Sequence, residues 1–152
     1  MAGTITDAMS NQFKQDVFDG VHQPGDDYRV VLLKPLASLV GSYDAASTYT
    51  NVTTNGDEIA AGGGYSTGGM SLSGRASSLA AGVAYLDFAD LAIASSTISA
   101  AGIMIINATR SNKALGVWNL RDGSGNPATI TSTNATFTVN IPRSGNGALS
   151  IS

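Results

Sequence analysis

The sequence predicts an all-β domain: an antiparallel β-sandwich, jelly-roll or immunoglobulin-like, with one short N-terminal α-helix. Three observations predict it. Ile103-Met104-Ile105-Ile106, inside Gly102 to Asn107, is a run of large apolar residues of the kind found in a strand buried on both faces. Two segments alternate apolar and polar residues, Val83 to Phe88 and Ala135 to Ile141, as half-buried strands do. Clusters of Gly, Ser, Asn and Pro separate such segments along the chain. The pattern fits jelly-roll and immunoglobulin-like arrangements equally.

The elements follow in order. Thr6 reads as a helix N-cap, with Asp7 at the positive end of the dipole. Met9, Phe13 and Val17 fall at spacing four on one face, and Gly20 suits the C′ position, so residues 7–19 read as one amphipathic helix. Its stripe either packs on the sandwich edge or docks on a partner, because a helix this short needs a surface. Residues 1–25 are thus taken as a helical arm and 26–152 as the sandwich domain.

Gln23 to Asp27 reads as a turn, and Tyr28 to Lys34 as a strand closed by Pro35. Leu36, Leu39 and Val40 suit a short helical turn, and Ser42 to Tyr49 a loop. Asn51 to Gly56 is polar and turn-like, as is Asp57 to Ala61. Gly62 to Gly69 lacks the Gly-Lys-Ser/Thr and the following helix of a phosphate loop, so it reads as a glycine bend entering a strand at Met70 to Ser73. After Val83 to Phe88 the chain breaks at Ala89-Asp90, resumes at Leu91 to Ile93 and turns at Ser95-Ser96-Thr97.

The central pair is Gly102 to Asn107 with Ala114 to Leu120, joined by the polar segment Ala108 to Lys113. Asp122-Gly123-Ser124-Gly125-Asn126-Pro127 is the clearest turn; it lacks the ligand pattern of a calcium loop. Phe137, Val139 and Ile141 face inward on the next strand, Arg143 to Gly147 turns, and Ala148 to Ser152 closes with Leu149 and Ile151 on one face. The total is seven or eight strands.

Composition narrows the function classes. The chain of 152 residues is 43% apolar, but only 12% charged, about half the usual share. A polar, nearly uncharged surface suits β-rich proteins that touch other proteins. The net charge of −3, with no two basic residues adjacent, argues against nucleic acid as a partner. The absence of cysteine excludes disulfides and Cys-based zinc sites. No stretch has the length of a membrane span, and the N-terminus lacks the pattern of a secretory signal. Asn-x-Ser/Thr triplets at Asn51, Asn107 and Asn134 are read as chance.

Catalytic chemistry finds little support. His22, the single histidine, sits past the helix in a polar turn and reads as a surface or capping residue. Asp87 and Asp90 read as solvated or turn-capping carboxylates rather than an acid–base pair. Trp118, the single tryptophan, reads as a core anchor. The sequence therefore predicts no enzyme, no cofactor and no metal site.

The order of landmarks resembles that of small tailed-phage virion proteins of the head decoration (cement) type. Those landmarks are Phe13-Lys14-Gln15, Gly20-Val21-His22, Tyr28-Arg29-Val30, Gly64 to Gly69, Val83 to Phe88, Ile105 to Thr109 and a Thr-rich final strand pair. The stretch Leu36 to Asp44 departs from the shorter family pattern. The resemblance implies a homo-oligomer, often a trimer, that sits on the capsid surface of a virion made in the host bacterial cytoplasm. Its partners would be the major capsid protein and itself, contacted through sandwich edges and Met9, Phe13 and Val17. Rival expectations are a tail or neck subunit, and a carbohydrate-binding module stacking sugars on Tyr65, Tyr85 or Trp118.

Overall fold

A computed structural model describes residues 2–141 and 149–151. The described chain is mostly β, with antiparallel sheets and two α-helices. The strands are β1 (Ala8–Met9), β2 (Tyr28–Leu33), β3 (Met70–Ser71), β4 (Ala76–Ala80), β5 (Val83–Asp87), β6 (Leu91–Ala100), β7 (Gly102–Asn107), β8 (Lys113–Asn119), β9 (Ile130–Val139) and β10 (Leu149–Ile151). The helices are α1 (Asn11–Phe18) and α2 (Tyr49–Asn55). The strand count of seven or eight is corrected to ten among the described residues.

Three sheets form, in the orders β1-β8-β7-β2-β3, β10-β5-β4 and β6-β9. The predicted central run lies where expected: β7 is the middle strand of the five, and all six of its residues are buried. Its uninterrupted apolar character has a direct cause, because both faces of this sheet are covered. On one face Val30, Leu32, Ile103, Ile105 and Leu115 pack with Leu86, Phe88, Ile93, Ile98, Phe137 and Val139 from β5, β6, β9 and the residue after β5. On the other, Val31, Leu33, Met104, Ile106 and Val117 pack with Leu39, Tyr43 and Val52 from the 36–55 region.

That second face corrects the polar-turn reading of Asn51 to Gly56. Thr48 and Asn51 form a reciprocal capping box, Gly56 ends α2 at φ +65°, and Val52 is fully buried against the sheet. Asp57 and Glu58 are likewise structural, not a loose turn. The Asp57 carboxylate is fully buried and accepts from Val40 N (2.9 Å), Gly41 N (2.7 Å) and Tyr43 Oη (2.7 Å). Glu58 accepts from Tyr49 Oη, Tyr65 Oη and Gly68 N.

The helix predicted over 7–19 is shorter. Ala8 and Met9 pair with Val117 and Gly116 as β1, so Ser10, not Thr6, stands at the N-cap. Asp7 instead accepts from Asn119 N at 2.7 Å and pairs with Arg121. Gly20 does close α1 at φ +65°, with Val21 N donating to Asp16 O and Gly20 N to Val17 O.

Ser95-Ser96-Thr97 is not a turn. It lies inside β6, where the register with β9 shifts on either side of Ser96 and both Ser95 and Asn134 adopt positive φ. Ser96 is fully buried, its Oγ 2.8 Å from Ser132 Oγ. The segment 108–113 turns through a short 3-10 helix, Ala108–Arg110, before β8 begins at Lys113. Asp122 Oδ1 accepts from Ser124 N and Asn126 N in the predicted turn. The turn expected at Arg143 to Gly147 lies outside the described residues. Among the described residues, no helix is long and apolar enough to cross a membrane.

Candidate interaction surface

The three residues of the predicted contact stripe do not share a face. Met9 belongs to β1 and is half-buried; Phe13 is 4% exposed and sits in the core; Val17 is 41% exposed. The buried face of α1 is Phe13 with Asp16, one turn apart. Its neighbour Phe18 is 89% exposed.

Between α1 and the sheet β10-β5-β4 lies a cleft of about 200 Å³. Its apolar wall includes Phe13 and Val17 from α1, Leu86 from β5, and Leu149 and Ile151 from β10. The sheet register explains the wall. Leu79 pairs with Ala84 and Ala84 with Ile151, so these three form one row across the sheet on one face. Ser77, Leu86 and Leu149 form the next row inward. The inner row is buried at Leu86 and Leu149, whereas the outer row is exposed throughout. Leu149 and Ile151 share a face, as the alternation predicts, but Ile151 opens to the surface. An exposed apolar band therefore runs from Leu79 through Ala84 to Ile151, with Val17 beside it on the far lip of the cleft.

Beneath the cleft is a polar network, and it corrects the surface reading of His22. The imidazole is 4% exposed, and its Nε2 lies 3.3 Å from Asp16 Oδ2, within ion-pair distance but outside hydrogen-bond geometry. Asp16 Oδ1 accepts from Lys113 Nζ (2.7 Å) and Gln12 Nε2 (2.8 Å). On the other side, Asn107 Nδ2 contacts His22 Nδ1 (3.0 Å) and donates to Asp26 Oδ2 (2.8 Å), and Asp26 accepts from Arg110 Nε (3.0 Å). The network ties α1, the entry to β2 and the β7–β8 turn together.

Its charges follow from these contacts. The hydrogen bond from Arg110 is the main reason the Asp26 carboxyl lies well below the usual carboxylate range, against the opposing effect of burial. Burial raises Asp16, but hydrogen bonds from Lys113 and Gln12 outweigh it and leave its pKa lowered from 3.8. Burial pushes His22 below its ordinary 6.5, against the attraction of Asp16.

The remaining sequence candidates serve other ends. Asp90 Oδ1 accepts from Ile141 N (2.8 Å) and Asp87 Oδ1 from Phe88 N (2.9 Å), so each carboxylate fixes backbone. Tyr65 is 3% exposed, its hydroxyl bonded to Glu58 and accepting from Leu32 N, which removes it as a sugar platform. Tyr85 is half-buried at the cleft. Trp118 is also half-buried, in a second groove of about 320 Å³ with Asp7, Arg121 and Asn140. Its ring lies over Gly116, where an added Cβ would come within 2.5 Å of it.

Sequence reasoning missed the Leu79–Ala84–Ile151 band because it read no strand at Ala76–Ala80. The available signal was Ala80-Ala81-Gly82-Val83, where Ala81 (φ +50°) and Gly82 (φ +81°) make the two-residue turn of a hairpin. Comparison with protein-family models finds no match, nor does comparison with curated proteins or with solved structures.

Proposed function

We propose that this chain is a structural protein of a phage virion, a homo-oligomeric subunit of the head decoration type. On this reading the sheets are the layers of a β-sandwich, and the molecule works by contact alone. It bridges adjacent copies of the major capsid protein on the outer shell, and additive burial resists pressure from within. The observation that carries the reading is the exposed apolar band Leu79–Ala84–Ile151 facing Val17 across the cleft. Large apolar side chains grouped on one surface mark a contact site rather than a solvated face. The low charge of the chain favours the same reading, since it lowers the repulsion between packed copies.

The test is light scattering of the purified protein, with co-sedimentation on empty capsids. Oligomers that bind capsids are the expected result. A monomer indifferent to capsids overturns the reading. Labelled virions viewed by electron microscopy then show the subunit on the shell; a position at the tail or neck replaces decoration with a connector role.

A further inference from the structure

The sheet edges of this molecule are unequal, and the inequality identifies one of them. Open edge strands invite pairing with other chains, and proteins blunt them by making them short, bulged or charged. Here β1 and β3, the edges of the five-stranded sheet, are two residues long, and β10 spans three of the described residues. The β6–β9 pair carries two register shifts. Strand β4 has none of these guards. It is five residues long, pairs with β5 in unbroken register, and contains neither a charge nor a proline. All five of its residues are exposed, so it adds nothing to the core of the single chain.

We propose that β4 is the contact strand between two copies of this chain, paired antiparallel about a two-fold axis at Ser78. The inference rests on the reading that the protein is a homo-oligomer, and it names the contact. The hairpin turn at Ala81-Gly82 fixes which backbone groups are free. Ala80 and Val83 close a two-residue turn and form a hydrogen-bonded pair, so Ala80, Ser78 and Ala76 direct their backbone groups toward β5. Ser77 and Leu79 direct theirs outward. With Ser78 on the axis, Ser77 of each copy stands opposite Leu79 of the other, and these outward groups satisfy one another. Ala76 meets Ala80, and Arg75 falls opposite Ala81 rather than opposite its own equivalent, so no like charges meet. Leu79, 75% exposed, gains Ser77 of the other copy as its neighbour on the joined sheet. A contact of this kind is isologous: it closes on a dimer or joins two rings face to face.

The sequence has no cysteine, so one introduced thiol reports the contact directly. The axis places the two Ser78 residues in a non-hydrogen-bonded antiparallel pair, with Cα atoms about 4.5 Å apart, inside disulfide range. Full-length Ser78→Cys should form a covalent dimer under mild oxidation at least about tenfold faster than Ser124→Cys, placed on an exposed turn, because the paired thiols have a high effective concentration. Adding Ser77→Lys and Leu79→Lys, which sets lysine opposite lysine, should slow the Ser78→Cys reaction to the rate of Ser124→Cys. Equal rates for the two single variants while the parent protein remains oligomeric by light scattering overturn the β4 contact and leave the oligomer reading intact. A monomeric parent overturns both.

Discussion

Asn107 Nδ2 stands 3.0 Å from His22 Nδ1, and this contact decides which imidazole nitrogen carries the proton. Asn107 cannot be turned over. Its Oδ1 accepts from Arg110 N, and its Nδ2 donates to the Asp26 carboxylate. The amide therefore presents a donor to His22, whose Nδ1 must accept and whose hydrogen must sit on Nε2, toward Asp16. A second proton on the ring would set donor against donor.

Stability should consequently fall as His22 is forced to protonate. The folded pKa is lowered from 6.5, so the unfolded chain binds the proton first as pH drops. The contribution is complete above 6.5 and is lost as pH falls from there toward the folded value. Urea midpoints should decline between about pH 6.5 and pH 5 in the parent protein. His22→Gln, which offers an acceptor and a donor but does not titrate, should be flat over that range. Both proteins should share a further loss below about pH 4, because the lowered Asp16 and Asp26 contribute stability above their unfolded value of 3.8 and lose it as pH falls through the folded one. A parent protein with no slope above pH 5 would count against the neutral, buried imidazole.

Asp57, itself fully buried, joins the 40–43 loop to the sheet through bonds from Val40 N, Gly41 N and Tyr43 Oη. Asp57→Ala strands the buried Tyr43 hydroxyl and removes the acceptor of the Val40 and Gly41 amides. The expected loss is about 3–5 kcal/mol, read as a lower urea midpoint with little change in slope. Asp57→Asn keeps one oxygen and should lose less.

Ala81 adopts φ +50°, a conformation that its Cβ disfavours and that Asn tolerates. Ala81→Asn should stabilise the β4–β5 hairpin by about 0.5–1 kcal/mol. Slower hydrogen exchange at the amides that β4 directs toward β5 is the sensitive check.

What the sequence revealed and what it concealed separate along physical lines. β7 was legible because burial on both faces leaves an unbroken apolar run, as it does at Val30 to Leu33 in β2. The Phe137–Val139–Ile141 alternation was legible because only one side of that segment is buried. β1 was hidden because two residues carry no periodicity; they are a strand only because β8 lies beside them. At Ser95 to Thr97 local polarity pointed to a turn, yet Ser96 finds its partner at Ser132, far along the chain, inside the β6–β9 pair. β4 lacks the β-branched and aromatic residues that mark strands, and α2 is written in Thr and Asn, which form helices poorly. The Thr48–Asn51 box and Gly56 were the signals that α2 offered.

The candidate surface was half legible for a related reason. Spacing of four placed Met9, Phe13 and Val17 on one stripe, but spacing cannot say that the helix starts after Met9. Nor can it say that the buried face turns toward Asp16, whose charge is admitted by Lys113, far away in sequence. His22 was read as a surface residue because nothing near it in sequence announces Asn107 or Asp16 as its neighbours.

Phe13 and Val17, one turn apart on α1, should therefore answer opposite questions. Phe13 packs in the core with Tyr28 and Leu86 and tilts against the His22 ring at 5.0 Å between centroids. Phe13→Ala removes that packing and opens a cavity over the polar network, so it should cost about 3–5 kcal/mol of stability. Val17 stands at the lip of the cleft, 41% exposed, and loses little by becoming polar. Val17→Asp should leave the urea midpoint within about 0.5 kcal/mol of the parent. If the cleft is where copies or capsid subunits meet, the same change places an unpaired charge in an apolar contact and weakens association, seen as a shift to smaller species by light scattering and less protein bound to capsids. A Val17→Asp protein that keeps both stability and assembly would move the contact away from α1 and leave the β4 edge and the Leu79–Ile151 band to account for it.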